Sequence, residues 1–162
     1  DFTVTVAEEV NAPMNYPGTI TMQGKCFALT MFDVEAAYDG NTLYLYNAEL
    51  DELTLSNPTE QELLEANPFL YAKALVDVCN VTERAINNGE QTLVTLTPKD
   101  QTIGIKRFTL KIKNNNLMPL QVEIKEGKQT TTLKLTNPTF VTTKQTYIIQ
   151  PEASTYVNDM RF

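Results

Sequence analysis

The sequence contains no histidine. That absence removes both the commonest general base near neutral pH and the commonest zinc ligand. Cysteine is scarce, with only Cys26 and Cys79, too few to form a structural zinc site alone. The 6 glycines form neither a GxGxxG pattern nor a phosphate-cradling loop. Ser56 and Ser154 lack the surroundings of a nucleophile elbow. No run approaches the roughly 18 apolar residues of a membrane span, so stable membrane insertion is not expected. The opening DFTVTVAEEV has neither a basic region nor an apolar core of the signal-peptide kind. A mature exported chain whose signal peptide has been removed looks the same. Basic residues are outnumbered, 13 against 20 acidic, for a formal charge of -7. Nucleic acid is therefore not expected as a partner, because phosphate binding needs a local excess of Lys and Arg. The nearest basic patch is Lys106, Arg107, Lys111 and Lys113. Lys111 and Lys113 alternate with Leu110 and Ile112, which reads as the wet face of a strand.

What remains is the composition of one globular domain over residues 1–162, with 42% hydrophobic residues and enough chain to bury a core. FTVTV at residues 2–6 alternates as a strand does. Val10 to Pro17, with its two prolines, reads as a loop or a strand bend. From Gly18 the alternation resumes as GTITMQGKCFALTMF, broken at Gly24, and Val34 to Tyr38 forms a further short strand. Asp39-Gly40-Asn41 is a turn between strands. TLYLYNA and ELTLS continue the meander.

The period then changes. Asn57 reads as a helix cap with Pro58 at the first helical position, and TEQELLEA places acids in the first turn. Asn67-Pro68 interrupts this helix. FLYAKALVDVCN resumes as a second one, with Phe69, Ala72, Leu75, Val76 and Cys79 recurring at three or four. The expected helical insertion spans about 58–88. Strands return as QTLVTLTP, IKRFTLKIK, LMPLQVEIK, KQTTTLKLT and a final TYIIQ, joined by polar turns. The fold class is mainly β: a strongly curved antiparallel sheet, nearly closed, with helices in the middle.

Carboxylates cluster at Glu49, Asp51 and Glu52 and again at Glu60, Glu62 and Glu65. They read as loop solvation and helix N-terminal charge rather than as an acid–base pair. No enzyme activity, metal or cofactor is expected. Asn80-Val81-Thr82 fits a glycosylation triplet, a pattern common by chance. Cys26 and Cys79 can pair or can each serve as a small buried hydrophobe.

The apolar face of so long a sheet needs a cover, and two short helices cover little of it. The concave side can therefore hold an apolar cavity. Its candidate lining is Phe27, Leu29, Leu43, Leu45, Leu55, Leu96, Phe108, Leu110 and Leu133. Each of these reads as a core residue when taken singly, since periodicity does not distinguish filling by protein from filling by a guest.

The elements also fall in a familiar order. Gly24-Lys25-Cys26-Phe27-Ala28-Leu29 precedes Tyr38-Asp39-Gly40-Asn41-Thr42-Leu43-Tyr44-Leu45-Tyr46-Asn47. Glu52-Leu53-Thr54-Leu55-Ser56 then leads into Asn57-Pro58. After the helical segment come Leu96-Thr97-Pro98-Lys99, Ile105 to Ile112, and Leu117-Met118-Pro119. Over most of residues 18–138 the chain resembles, in divergent form, the periplasmic outer-membrane lipoprotein carrier family of LolA-like proteins.

The resemblance implies an unclosed β-barrel whose concave face is lidded by helices. By position the lid would include Leu63, Leu64, Phe69, Leu70 and Leu75. It implies a carrier in the Gram-negative periplasm that takes acylated lipoproteins from an inner-membrane ABC-type release complex and delivers them to an outer-membrane acceptor. The alternative is an envelope lipid or glycolipid binding protein of the same fold, or a protein-interaction domain without cargo. Two departures stand out. Family members begin with an amphipathic helix, whereas this sequence starts at a strand; either the N-terminus is trimmed or the helix is lost, and a lost helix would leave the cavity more exposed. The Arg that ties barrel to lid in the better-known branch has only Lys25 to match it within Gly24 to Met31.

Overall fold

The computed structural model describes residues 1–161 apart from Glu9, Val10, Gln101 and Ile103. The loop expected from Val10 to Pro17 thus begins outside the described residues. The alternating runs become β1 (Phe2–Glu8), β2 (Met14–Gln23), β3 (Cys26–Met31), β4 (Val34–Tyr38), β5 (Leu43–Asn47) and β6 (Glu52–Ser56). Two helices follow, α1 (Glu60–Ala66) and α2 (Pro68–Leu75). The second series is β7 (Cys79–Ile86), β8 (Gln91–Pro98), β9 (Ile105–Lys113), β10 (Met118–Glu126) and β11 (Gln129–Leu135), with β12 (Tyr156–Asp159) near the end.

The chain divides into two compact units. The first comprises Asp1–Tyr16 and Leu64–Pro138, the second Pro17–Leu63 and Thr139–Phe162. In the first unit the strand order is β1-β11-β10-β9-β8-β7, every pair antiparallel. In the second it is β12-β6-β5-β4-β3-β2. Neither order returns on itself, so each unit is an open sheet.

The first unit buries one face beneath α2. Ala72 and Leu75 of the helix join Cys79, Leu96, Ile105, Phe108 and Val122 in a single apolar cluster. The Tyr71 ring lies 6.4 Å from that of Phe108, tilted by 52°. Phe108 has no solvent exposure, a burial that contributes about 1.5–3 kcal/mol. The second unit has its own aromatic pair, Phe27 and Tyr38, with ring centroids 6.2 Å apart. Its sharpest turn is the expected one. Asp39 Oδ1 accepts the amides of Asn41 at 2.9 Å and Thr42 at 2.8 Å, and Gly40 takes φ of 105° between them.

The structure departs from the sequence expectations at four places. The cap of α1 is Thr59, not Asn57. Thr59 Oγ1 accepts the Glu62 amide at 3.3 Å, and Glu62 Oε2 accepts the Thr59 amide at 2.7 Å, a reciprocal capping box. Asn57 instead donates to the Asn41 carbonyl.

The helical insertion also ends early, at Leu75 rather than near 88, because Cys79–Ile86 is a strand. Cys79 continues the helical spacing of apolar residues, while Asn80 to Ala85 are exposed on both faces. With both faces wet there is no alternation to mark a strand.

TYIIQ forms no strand. Its Tyr147 is buried, and the last strand is instead β12, parallel to β6. Asp51 secures that parallel pair, its carbonyl accepting the Tyr156 amide at 2.9 Å and its carboxylate the Thr155 hydroxyl at 2.9 Å. Among the described strand pairs within the two units, this edge pair alone is parallel. Finally, β2 begins at Met14 and carries Pro17 within a strand. Both cysteines are free thiols.

Candidate functional site

Register decides which side chains share a face, because side chains alternate with period two. In the second unit Ile20 stands opposite Leu29, Leu29 opposite Ala36, and Ala36 opposite Leu45. These four form an apolar row across β2 to β5. A parallel row holds Met22, Phe27, Tyr38 and Leu43, and a third holds Met31 and Val34. Exposure grades across this face. Phe27 and Leu43 are buried, Ile20, Leu29 and Met31 are half-buried, and Leu45 and Val34 are 39% and 40% exposed. The result is an apolar strip closed at one end and open to water at the other.

Four sequence candidates, Phe27, Leu29, Leu43 and Leu45, therefore lie together. Leu55 does not join them. It pairs with Tyr44, which is offset by one residue from Leu43 and Leu45, and so points to the opposite face with the buried Leu53 and Ala37. Leu43 meets Ser56 instead. Sequence reading missed Ile20, Met22, Met31, Val34, Ala36 and Tyr38 as members of this face. The signal was present for the first two, since Ile20 and Met22 alternate with Thr19, Thr21 and Gln23.

In the first unit the remaining candidates share one face as well. Leu96 is opposite Phe108, Leu110 opposite Val122, and Val122 opposite Leu133. Here the chain covers its own apolar face. Among the lid candidates, Phe69 and Leu75 pack into the cluster under α2 and Leu70 is half-buried on the same helix. On α1, Leu63 is buried and Leu64 half-buried.

The second helix is well anchored. Asn67 Oδ1 accepts the Phe69 amide at 3.1 Å, Asn67 itself has no solvent exposure, and Pro68 opens the first turn.

The polar groups around the strip are held in structural roles. Burial raises the Tyr38 phenol above its ordinary value, reinforced by Asp39 and then Cys26, so it remains protonated on the apolar face. Burial alone would raise the Asp39 carboxyl. The Thr42 and Asn41 amides and the Tyr44 hydroxyl outweigh that effect and hold it below the usual carboxylate range. Asp51 accepts from Tyr46 and Thr155, and Glu52 accepts from Thr54 and Asn158. The amide and hydroxyl of Thr59 lower the Glu62 carboxyl. Of the two carboxylate clusters, the Glu65 side chain lies outside the described residues.

A family model described as outer membrane lipoprotein carrier protein LolA matches residues 36–147. No curated protein sequence matches the chain. Among solved structures, an uncharacterized conserved protein from Thermus thermophilus aligns with a TM-score of 0.51 at 14% identity, over 98% of this chain and 89% of that one. A LolA superfamily protein from Nitrosomonas europaea aligns with a TM-score of 0.35 at 11% identity, over 82% of this chain and 80% of that one. An outer membrane lipoprotein-sorting protein domain, described as putative, from Vibrio parahaemolyticus aligns with a TM-score of 0.40 at 9% identity, over 82% and 80% of the two chains.

Proposed function

Because the chain belongs to the outer membrane lipoprotein carrier protein LolA family, we propose that residues 1–162 form a periplasmic carrier that binds the acyl chains of lipoproteins. The observation that carries this reading is the row Ile20, Leu29, Ala36 and Leu45 on an open sheet face, in which Ala36 is buried, Ile20 and Leu29 are half-buried and Leu45 is exposed. Each methylene moved from water onto such a surface contributes about 0.8 kcal/mol. An acyl chain of about 16 carbons therefore has a driving force on the order of 10 kcal/mol for leaving water. Buried Phe27 and Leu43 give the strip a closed end, and exposed Leu45 and Val34 give it an entrance. The lid residues of this reading are Leu63 and Leu64 of α1 and Phe69, Leu70 and Leu75 of α2, of which Phe69 and Leu75 pack on the apolar face of the first unit.

In this reading the carrier receives its cargo from an inner-membrane ABC-type release complex and gives it up to an outer-membrane acceptor. It does no covalent chemistry. The carboxylates Asp39, Asp51, Glu52 and Glu62 are engaged in turns, caps and strand pairing, in keeping with a binding role.

The test is native mass spectrometry of the protein with a triacylated lipopeptide, its unacylated twin, and a phospholipid. Retention of the acylated peptide alone supports the carrier. Equal retention of phospholipid and lipopeptide points to a general envelope lipid binder. Equal or absent binding of the acylated and unacylated peptides overturns both readings.

A further inference from the structure

A polar surface lies on the first unit, on the face opposite α2. A groove of about 770 Å³ runs over β7 to β10 there. Register builds its floor: Thr82 is opposite Thr95, Thr95 opposite Thr109, and Thr109 opposite Glu123. One step along, Arg84 is opposite Leu93, Leu93 opposite Lys111, and Lys111 opposite Gln121. The cations Arg84, Arg107 and Lys111 line it together with the carboxylates Glu83 and Glu123, and Lys125 and Lys134 continue the same face. Five of the 13 basic residues thus gather on one sheet face of a chain with 20 acidic ones. Arg107 is paired with Glu123 at 3.2 Å, and Lys111 donates to Gln121.

The groove borders an unpaired strand edge. β7 ends the strand order of its unit, so among the described residues no strand meets its outer side. It is 8 residues long and exposed from Asn80 to Ala85. Such an edge offers a row of backbone donors and acceptors to an extended partner.

We infer that β7 and the groove beside it form a docking site for an extended acidic segment of a partner protein, added to the sheet as a further strand. The side chains of that segment on the groove side meet Thr82, Arg84 and Ile86. Cross-strand complementarity asks for a carboxylate beside Arg84 and an apolar residue beside Ile86. Lys111 and Arg107 lie on β9, three strand spacings (about 14 Å) from the added strand, so they act only as a weak, screened background field beside the direct contact at Arg84. The sequence reading of Lys111 as part of the wet face of a strand is correct locally. Only the register reveals that Arg107 and Lys111 converge with Arg84. This inference is independent of the acyl-binding proposal, which concerns the other unit.

The experiment uses the whole chain with a fluorescent peptide of about ten residues alternating Thr and Glu, and a twin carrying Gln for Glu. Anisotropy gives the affinity and hydrogen exchange locates the contact. The Glu peptide is expected to bind at least about fivefold more tightly than the Gln twin and to protect the β7 amides. Arg84→Glu, at an exposed position, should abolish that preference and favour a Thr–Lys peptide instead, while β9 protection stays unchanged. Lys111→Gln should weaken the salt dependence without moving the protected segment. Equal binding of the Glu and Gln peptides overturns the inference, as does competition by inorganic phosphate without β7 protection. Self-association of the protein through β7 would assign the edge to a second copy and overturn it too.

Discussion

The side-chain oxygen of Asn67 accepts the amide of Phe69 at 3.1 Å from a position with no solvent exposure. The Asn67 carbonyl also accepts the Leu70 and Tyr71 amides, so one residue closes the start of α2. Replacing an N-cap of this kind by Ala costs about 1–2 kcal/mol. Asn67→Ala should therefore lower the urea midpoint by the equivalent of that amount. Asn67→Ser, which keeps a capping oxygen, should lose about half as much. Equal losses in the two variants would assign the cost to the cavity rather than to the cap.

This cap also shows what the sequence could and could not reveal. Asn67-Pro68 was legible as a break in helical pattern, but a break and a beginning look alike until the chain turn is known. Asn57-Pro58 carries the same signal and starts no helix, because the Thr59–Glu62 box two residues later satisfies more backbone donors. Most strands were legible because one face packs and the other is wet. β7 was not, being wet on both faces, and β12 was hidden because four residues carry almost no periodicity. For the site, alternation picks out Phe27, Leu29, Leu43 and Leu45, which register places on one face. It misplaced Leu55, because a face is a property of register between strands and not of one strand alone.

Leu45 is 39% exposed at the open end of the apolar strip. An aspartate there removes apolar contact and places charge beside any acyl chain. Leu45→Asp should weaken binding of a fluorescent acyl probe by about tenfold or more while changing stability by about 1 kcal/mol or less. Leu117→Asp is the control, since Leu117 is 75% exposed in a turn of the other unit. Titration of both variants decides the matter. Equal affinity in the two would remove the strip from the proposed binding face.

The Asp39 carboxyl titrates below its ordinary value because the hydrogen bonds it accepts in the turn outweigh the effect of burial. A depressed folded-state value means that the unfolded chain takes up the proton first on acidification. The stabilisation is complete above the unfolded value of 3.8 and is lost as pH falls through the lower folded one. Melting temperatures of the wild type and Asp39→Ala should therefore differ most near neutrality and converge in strong acid. A gap that stays constant down through that range would mean that the carboxylate charge contributes nothing and the turn depends on shape alone.

Tyr147 tests the packing of the segment after β11. It is 5% exposed, and its hydroxyl is buried without a hydrogen-bond partner among the described residues. Burial raises its phenol above the ordinary value, with a further contribution from Cys26, which keeps the group neutral. A buried hydroxyl left unpaired costs about 1–3 kcal/mol of desolvation that no bond returns. Its ring, in contrast, contributes by filling space. Tyr147→Phe keeps the ring and removes the cost, so thermal unfolding should show unchanged stability or a gain of up to about 1 kcal/mol. Tyr147→Ala removes the ring and should lose about 3 kcal/mol or more, as large aromatic truncations do. A loss on the Phe substitution alone would show that the hydroxyl bonds a group in solution and that this segment is held by polarity as well as by packing.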